Sequence, residues 1–149
     1  MSLRTGWVAA LGLLVASYLL VFGAGLRASP GAPQDRKTKF EIYPDAKKEY
    51  RWRYKAANGE ISATSGQGYK SKSSCQDAVD KLKAGAGADK YKFEVYEDNA
   101  KKFRFRMIAS NGQTVGSSSQ GYKAKTDCEH AIELLKTQAK SAKVEVLSE

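Results

Sequence analysis

A stretch of alternating aromatic and basic residues occurs twice in this chain and constrains its fold more than any other feature. Residues 50–57 read Tyr-Arg-Trp-Arg-Tyr-Lys-Ala-Ala and lead into Asn58 and a glycine, and residues 103–110 repeat the pattern before Asn111 and a second glycine. A period of two is typical of a strand with one buried face and one exposed face. Because an Asn-Gly pair favours a type I′ turn, in which both central residues have positive φ, we predict a tight hairpin after each strand.

The region around these strands is duplicated as a whole. Residues 40–83 align with residues 93–136 without a gap, and about 20 of about 44 aligned positions are identical. The first copy reads as strands over residues 39–43, 50–57 and 60–65, followed by a helix. Residues 144–146 resemble the start of a third copy, and we expect them to form an edge strand.

Each predicted helix begins with a capping box, formed by Ser73 with Gln76 in the first copy and by Thr126 with Glu129 in the second. Apolar residues then recur at helical spacing, so each helix can cover one face of a sheet. The stripe residues are Cys75, Ala78, Val79 and Leu82 in one helix and Cys128, Ala131, Ile132 and Leu135 in the other.

These patterns predict an α+β fold in which two tandem β-β-β-α repeats form a compact pseudo-two-fold body of antiparallel sheet covered by two helices. A single hydrophobic helix precedes this body. The predicted divisions are a transmembrane anchor or signal segment (1–27), a flexible tether (28–38), the first repeat (39–84), a linker (85–90), and the second repeat with its C-terminal strand (91–149).

The N-terminal segment favours a membrane location. Residues 6–26 carry no charge, and 21 helical residues span about 30 Å, the thickness of the hydrocarbon core. We favour an uncleaved single-pass anchor over a cleaved signal peptide. Cleavage of the segment would make the protein secreted. The count of Lys and Arg places the following domain in the cytoplasm, whereas the very short leading tail favours the extracytoplasmic side, which we adopt.

The repeated motifs resemble those of the YegP-like family, small bacterial and archaeal domains of unknown function found singly or in tandem. The resemblance rests on residues 40–43 with Asp45, on residues 50–53, on the Asn-Gly turn, and on Gly68-Tyr69-x-x-Lys72, each with a second copy. It implies hairpin-plus-helix units about a pseudo-two-fold axis and no established activity. The hydrophobic N-terminus departs from the usual members of the family, so a cytosolic location is not inherited.

The composition argues against catalysis and against a metal centre. Two cysteines lack metal-ligand spacing, and one histidine is too few for a multi-histidine site. No paired carboxylates, nucleophile motif or phosphate-binding glycine loop is present. We therefore predict a protein that is not an enzyme and that has no cofactor. The net charge of +9 leaves an anionic partner open.

The basic residues of the repeated strands are the first candidate binding site. They should lie on the sheet face away from the helices, flanked by Tyr43 and Tyr96. One interpretation is a surface for a phosphate-bearing or single-stranded polymer. The other, which we favour, is that Glu41, Glu60, Glu94 and their neighbours pair with them across strands. The candidate residues are Arg51, Arg53, Lys55, Arg104 and Arg106.

The Gly-Tyr-x-x-Lys loops before the helices are the second candidate, with Tyr69, Lys72, Tyr122 and Lys125. Such a loop could hold an anion beside a helix N-terminus, or its tyrosine could plug the sheet edge, which we favour. The two cysteines fall on the apolar stripes, and we predict that they pack as small buried residues rather than act as reactive thiols.

The function predicted from sequence is a non-catalytic interaction module, tethered to the membrane through residues 6–26, that binds a protein or an envelope component. The alternative is a basic protein that binds an anionic polymer or lipid headgroups through its arginine-rich face. The two differ in their dependence on salt, because binding driven by phosphate contacts weakens steeply as ionic strength rises.

Overall fold

The structure is a computed structural model that describes residues 37–148. The hydrophobic helix predicted over residues 6–26 lies outside the described residues, as does most of the predicted tether. Between residues 37 and 148 no helix is long and apolar enough to cross a membrane. The elements follow the chain as β1 (Lys39–Pro44), β2 (Tyr50–Lys55), β3 (Ile61–Ser65), α1 (Lys72–Gly85), a 3₁₀ turn (Ala86–Ala88), β4 (Lys92–Glu97), β5 (Phe103–Ile108), β6 (Thr114–Ser118), α2 (Lys125–Gln138), a 3₁₀ turn (Ala139–Ser141) and β7 (Lys143–Val146).

The strands form one continuous sheet in the order β4-β5-β6-β3-β2-β1-β7, which confirms the predicted α+β fold of two tandem repeats. The units meet at the centre, where β3 and β6 pair antiparallel with Thr64 opposite Ser117. A pseudo-two-fold axis therefore passes between these two strands. β7 pairs with β1 in parallel, with Val144 opposite Phe40. The predicted edge strand is thus confirmed, and it adds one parallel pair to a sheet that was predicted to be antiparallel.

Both helices pack on the same face of the sheet and share one core. Trp52 and Tyr54 from β2 and Phe105 and Met107 from β5 are all nearly inaccessible to solvent. The predicted helical stripes close this core with Cys75, Val79 and Leu82 of α1 and Cys128, Ile132 and Leu135 of α2. Burying these residues removes apolar surface from water, which is the main force that holds helices and sheet together. The opposite face, where the strands carry arginines, is left uncovered by both helices.

The hairpin turns differ from the prediction. Gly59 and Gly112 have φ of 85° and 81°, whereas neither asparagine of the two turns has positive φ. In the first turn the Gly59 amide donates to the Ala56 carbonyl, the Ala56 amide donates to the Glu60 carbonyl, and the strand register shifts beside the turn. This is a type I turn followed by a glycine bulge. The type I′ prediction is therefore wrong, although the hairpins themselves form where they were predicted.

The helices begin earlier than the predicted capping boxes. The N-cap of α1 is Ser71, whose hydroxyl accepts a hydrogen bond from the Ser74 amide at 3.1 Å. The N-cap position of α2 is Ala124, which has no side-chain cap. The boxes predicted at Ser73 and Thr126 are wrong, because both residues already lie in the first helical turn. Each cysteine is consequently the fourth residue of its helix, beyond the strongest influence of the helix N-terminus.

Candidate functional site

A row of polar side chains crosses, from one edge to the other, the face of the sheet that α1 and α2 leave uncovered. Strand register places Arg53 opposite Thr64, and Ser117 opposite Arg106, on the two sides of the pseudo-two-fold axis. Since neighbouring strands lie about 4.8 Å apart and three strand spacings separate β2 from β5, the Cα atoms of the two arginines are about 14 Å apart. This transverse row consists of Glu94, Arg106, Ser117, Thr64, Arg53, Glu41 and Glu145.

In the first unit the row is anchored by a nearly buried carboxylate. Glu41 is only 3% exposed and receives Arg53 Nε at 2.6 Å, Lys39 Nζ at 3.0 Å and Lys55 Nζ at 3.2 Å. Burial alone would raise the pKa of Glu41, but hydrogen bonds from these three cations outweigh burial and lower the pKa to about 2. Arg53 is therefore fixed by its neighbours rather than free in solvent.

The second unit repeats this arrangement in a more open form. Glu94 lies 2.9 Å from Arg106 and 2.8 Å from Lys92, and these hydrogen bonds lower its pKa. The third cation is missing, because Ile108 occupies the position of Lys55. Glu94 is 28% exposed, so the ion pairs of this unit are more screened by water than those of the first.

A second pair of arginines is held by the turns between the first two strands of each unit. Arg51 Nε and Arg104 Nε each lie 2.7 Å from an aspartate, Asp45 and Asp98 respectively. The other oxygen of each aspartate accepts backbone amides of its own turn, so the carboxylate is oriented before it meets the arginine. The arginine hydrogen bond lowers the pKa of both aspartates. Neither pair was predicted from the sequence.

The predicted flanking tyrosines lie under the arginines of the transverse row. The Arg53 guanidinium is 5.0 Å from the Tyr43 ring centre, and that of Arg106 is 5.5 Å from the Tyr96 ring centre. Each arginine is thus held by a carboxylate and an aromatic ring together. Of the predicted acidic partners, Glu41 and Glu94 are confirmed. The structure contradicts the third, because Glu60 accepts a hydrogen bond from Asn58 Nδ2 instead.

The Gly-Tyr-x-x-Lys loops do not bring their tyrosine and lysine together. Tyr69 exchanges backbone hydrogen bonds with Tyr50 at 2.7 and 2.8 Å, and Tyr122 does the same with Phe103. Burial raises the pKa of both loop tyrosines, whose rings pack against the core. The lysines are exposed at the helix starts, where Lys125 pairs with Glu129, and Lys72 lines a different cleft from Tyr69. This geometry favours the tyrosine plug over an anion site.

Two clefts related by the pseudo-two-fold axis lie between the hairpin turn of one unit and the helix of the other. One measures about 230 Å³ and contains Asn58, Tyr122 and the exposed His130; the other measures about 240 Å³ and contains Asn111 and Tyr69. They differ in charge, since acidic side chains line the first and a lysine lines the second. Sequence reasoning missed both, because each cleft forms only when the two units assemble.

Both cysteines are packed as predicted. Cys75 and Cys128 are free thiols with no exposed surface. Burial raises the pKa of both, to about 11 for Cys75, so that neither is a thiolate near neutral pH. The described part of the chain contains no cluster of side chains that could hold a metal ion.

Both units match one family model, described as "Domain of unknown function (DUF1508)", over residues 45–92 and 98–145. The chain belongs to this family. A UPF0339 protein from the ptx operon 5′ region of Stutzerimonas stutzeri is 41% identical over 105 residues, which are 70% of this chain and 92% of the relative. A UPF0339 protein from Neisseria meningitidis serogroup B is 65% identical over 49 residues, 33% of this chain and 86% of that shorter relative.

Solved structures of relatives have the same fold. The solution NMR structure of YegP from E. coli, described as a protein of unknown function, has 29% identity and a TM-score of 0.64, and the match covers 74% of this chain and 92% of that chain. A UPF0339 protein from Shewanella oneidensis, at 21% identity and a TM-score of 0.66, matches over the same shares and shows the fold alone. The predicted resemblance to the YegP-like family is confirmed.

Proposed function

We propose that this protein is a non-catalytic interaction module, tethered to a membrane by residues 6–26, that binds a protein or an envelope component through the uncovered face of its sheet. The observation that carries this proposal is the transverse row, whose pattern of carboxylate, arginine and hydroxyl is mirrored in the two units. Arginine and tyrosine are among the residues most enriched in protein interfaces, and here they lie on strands.

The fixed arginines support binding rather than mere solubility. Arg53 and Arg106 are each restrained by an ion pair and by an aromatic ring, so little side-chain entropy remains to be lost when a partner binds. Thr64 and Ser117 lie between them and are short, which leaves a broad shallow strip between two raised clusters. A partner of complementary shape could contact both clusters at once.

The same ion pairs make an anionic polymer a weaker candidate. A phosphate that approaches Arg51, Arg53, Arg104 or Arg106 must compete with a carboxylate already in contact. Residues 37–149 should therefore elute from immobilised heparin at low salt, and Arg51→Ala/Arg104→Ala should change the elution little. Retention that falls steeply with salt and is lost in the double variant would instead establish polyanion binding through this face.

Site-specific crosslinking tests the proposed face directly. The full chain would carry a photoreactive residue at Ser117 in the strip, or at the exposed Asp80 on α1 as a control, and be irradiated in native membranes. We expect a discrete conjugate from position 117 only, and we expect excess wild-type residues 37–149 to compete it away. The same fragment with Arg53→Ala/Arg106→Ala should compete poorly. Equal conjugates from both positions, or equal competition by both fragments, would contradict the proposal.

The proposed membrane anchor is inferred from the length and apolarity of residues 6–26. Extraction of membranes with alkaline carbonate should leave the full chain in the pellet, because a transmembrane helix resists this treatment. A chain that begins after residue 27 should be released into the supernatant. Release of both forms would rule out the anchor and leave the binding face unaffected.

A further inference from the structure

The two outer edges of the pseudo-symmetric sheet are not equivalent. In the first unit β7 covers the outer edge of β1, whereas in the second unit β4 is paired only with β5 among residues 37–148. The strand that follows the first repeat becomes β4 itself, so none of the described residues takes the place beside β4 that β7 takes beside β1. An uncovered edge presents a line of backbone donors and acceptors.

The β1–β7 pair shows what such an edge accepts. β7 runs parallel to β1, and the Leu147 amide donates to the Ile42 carbonyl at 2.8 Å. Val144 lies opposite Phe40, and Val146 lies opposite Ile42. The side chains of Phe40 and Ile42 are fully buried. Between the valines, Glu145 pairs with Lys39 at 2.7 Å. The edge of β1 therefore receives an apolar–acidic–apolar segment.

The edge of β4 has a similar composition, but no strand within residues 37–148 covers it. Phe93 and Val95 occupy the positions of Phe40 and Ile42, yet both are only half-buried. Lys92 occupies the position of Lys39 and is 73% exposed, against 31% for Lys39. The additional exposure on this side is what removal of a covering strand would produce.

We propose that the outer edge of β4 binds an extended segment of a partner protein, added as a parallel strand with an apolar–acidic–apolar alternation. The apolar side chains would cover Phe93 and Val95, and the acidic one would pair with Lys92. Backbone hydrogen bonds give such strand addition its affinity, and alternate side chains give it specificity. This site lies at the edge of the sheet, next to Glu94 at the end of the transverse row, and it does not depend on the proposed function.

Among residues 37–148 the matching strand is already in use, so we take the partner to be a different protein. β7 is paired with β1, and moving it to the β4 edge of a second copy would uncover Phe40 and Ile42 in exchange. Such an exchange gains no strand pairing. A separate extended segment adds a strand without removing one.

The test uses a fluorescent ten-residue peptide with the sequence of residues 140–149, which contains β7, the strand that pairs with β1. It would be titrated into the full chain in micelles and into residues 37–149, a body that matches 92% of the YegP chain, whose structure was solved in solution. We expect saturable binding below about 1 mM to both, as befits a short peptide that adds one strand. Glu145→Lys in the peptide should weaken binding at least fivefold, because it would face Lys92.

Backbone methylation gives the sharpest control. In the β1–β7 pair the amides of Lys143 and Leu147 point toward β1, so a peptide N-methylated at Leu147 should lose binding, whereas one methylated at Val146 should retain it. In amide NMR spectra of the protein, the Phe93 and Val95 signals should move more than that of Glu94, whose backbone faces β5. Equal effects of the two methyl groups would overturn the proposal.

A protein variant provides an independent arm. Val95→Pro removes an outward-facing amide at an edge position, where proline is tolerated, and should reduce affinity at least tenfold. Val95→Thr keeps the amide and the branched side chain, and it should bind within about twofold of wild type. Binding to residues 37–149 but not to the full chain would overturn the proposal, because a preceding segment of this chain would then occupy the edge. Dimerisation through β4 in place of peptide binding would also overturn it.

Discussion

Equivalent residues of the two units behave differently because their surroundings differ, and Glu41 and Glu94 are the clearest pair. Both accept an arginine of the transverse row and a lysine of their own strand. Of the two, only Glu41 lies on a strand that is paired on both sides among the described residues, and only Glu41 receives a third cation, Lys55. The same repeat residue is therefore a nearly buried anchor in one unit and a solvated partner in the other.

We expect the Glu41→Gln variant to lose a large part of the acid dependence of stability. The pKa of Glu41 is about 2 in the folded protein against an ordinary value of 4.5, so folding favours its ionised form. That contribution is fully present above about pH 5 and is lost as the pH falls toward 2, a difference of about 2–3 kcal/mol. Urea unfolding of wild type and variant from pH 6 to pH 2 measures this difference.

Glu94→Gln is the matched control for this experiment. The pKa of Glu94 is also lowered by its cations, so its contribution has the same sign, but its greater exposure makes the effect smaller. The Glu41→Gln curve should be flatter than the Glu94→Gln curve. If all three proteins lose stability in parallel as the pH falls, Glu41 does not anchor the face.

Sequence reasoning foresaw the partners on neighbouring strands and missed those in turns. Glu41 pairs with Arg53 because the two face each other across an antiparallel ladder, which alternation alone predicts. Asp45 reaches Arg51 because its turn orients the carboxylate through backbone amides. That orientation depends on turn geometry, for which the residue pattern is a weaker guide.

At the scale of elements, the hairpin turns show that an Asn-Gly dipeptide is compatible with two types of loop. Asn-Gly suits a two-residue hairpin and also a longer loop, because both place glycine at positive φ. Here the Asn58 side-chain oxygen accepts a hydrogen bond from the Glu60 amide. The hairpin closes through the longer loop with a bulge. The sequence predicted the position of each hairpin correctly, but the loop type depends on this local hydrogen bond.

The helix caps provide a prediction at the same scale, because the two units carry different residues at one position. Ser71→Ala should destabilise the protein by about 1 kcal/mol, since the Ser74 amide loses its acceptor. Ala124→Ser should stabilise it by a similar amount by adding the cap that α2 lacks. Urea unfolding of the two variants and of the double variant measures both effects.

The two changes should nearly cancel in the double variant, because the caps lie in different units and share no partner. If Ala124→Ser leaves stability unchanged while Ser71→Ala lowers it, α2 gains nothing from a side-chain cap. The acidic Asp127 in the first turn would then be enough to stabilise the N-terminus of α2. Loss of stability in both variants would contradict the assignment of residue 124 as the N-cap.

At the scale of the whole molecule, the joint between the units was the part that the sequence did not specify. The alternation and the stripes predicted three strands and a helix per unit, because each pattern is local. The pairing of β3 with β6 joins two short strands of small residues, such as Thr64 and Ser117, whose pattern does not name a partner. The transverse row and the paired clefts both follow from that joint.

The contribution of β7 to the whole body can be measured by ending the chain after Ala142. This removes Val144 and Val146, the neighbours on β7 of Phe40 and Ile42, whose side chains are fully buried in the intact body. We expect the free energy of unfolding to fall by about 2–4 kcal/mol, as for the exposure of two large apolar side chains. Ending the chain after Leu147 instead keeps β7 whole and should cost under about 0.5 kcal/mol, because Ser148 is exposed and lies outside the strand.

The ten-residue peptide of residues 140–149 should restore stability to the chain that ends at Ala142. A ligand that binds only the folded state raises the midpoint of unfolding in proportion to the logarithm of its concentration. Within the described part of the chain, the truncated form has two uncovered edges of similar composition, at β1 and β4, so it should bind two peptides where the intact body binds one. A stoichiometry of one in the truncated chain would mean that β1 alone accepts a strand, and that the half-buried Phe93 and Val95 do not make β4 its equivalent.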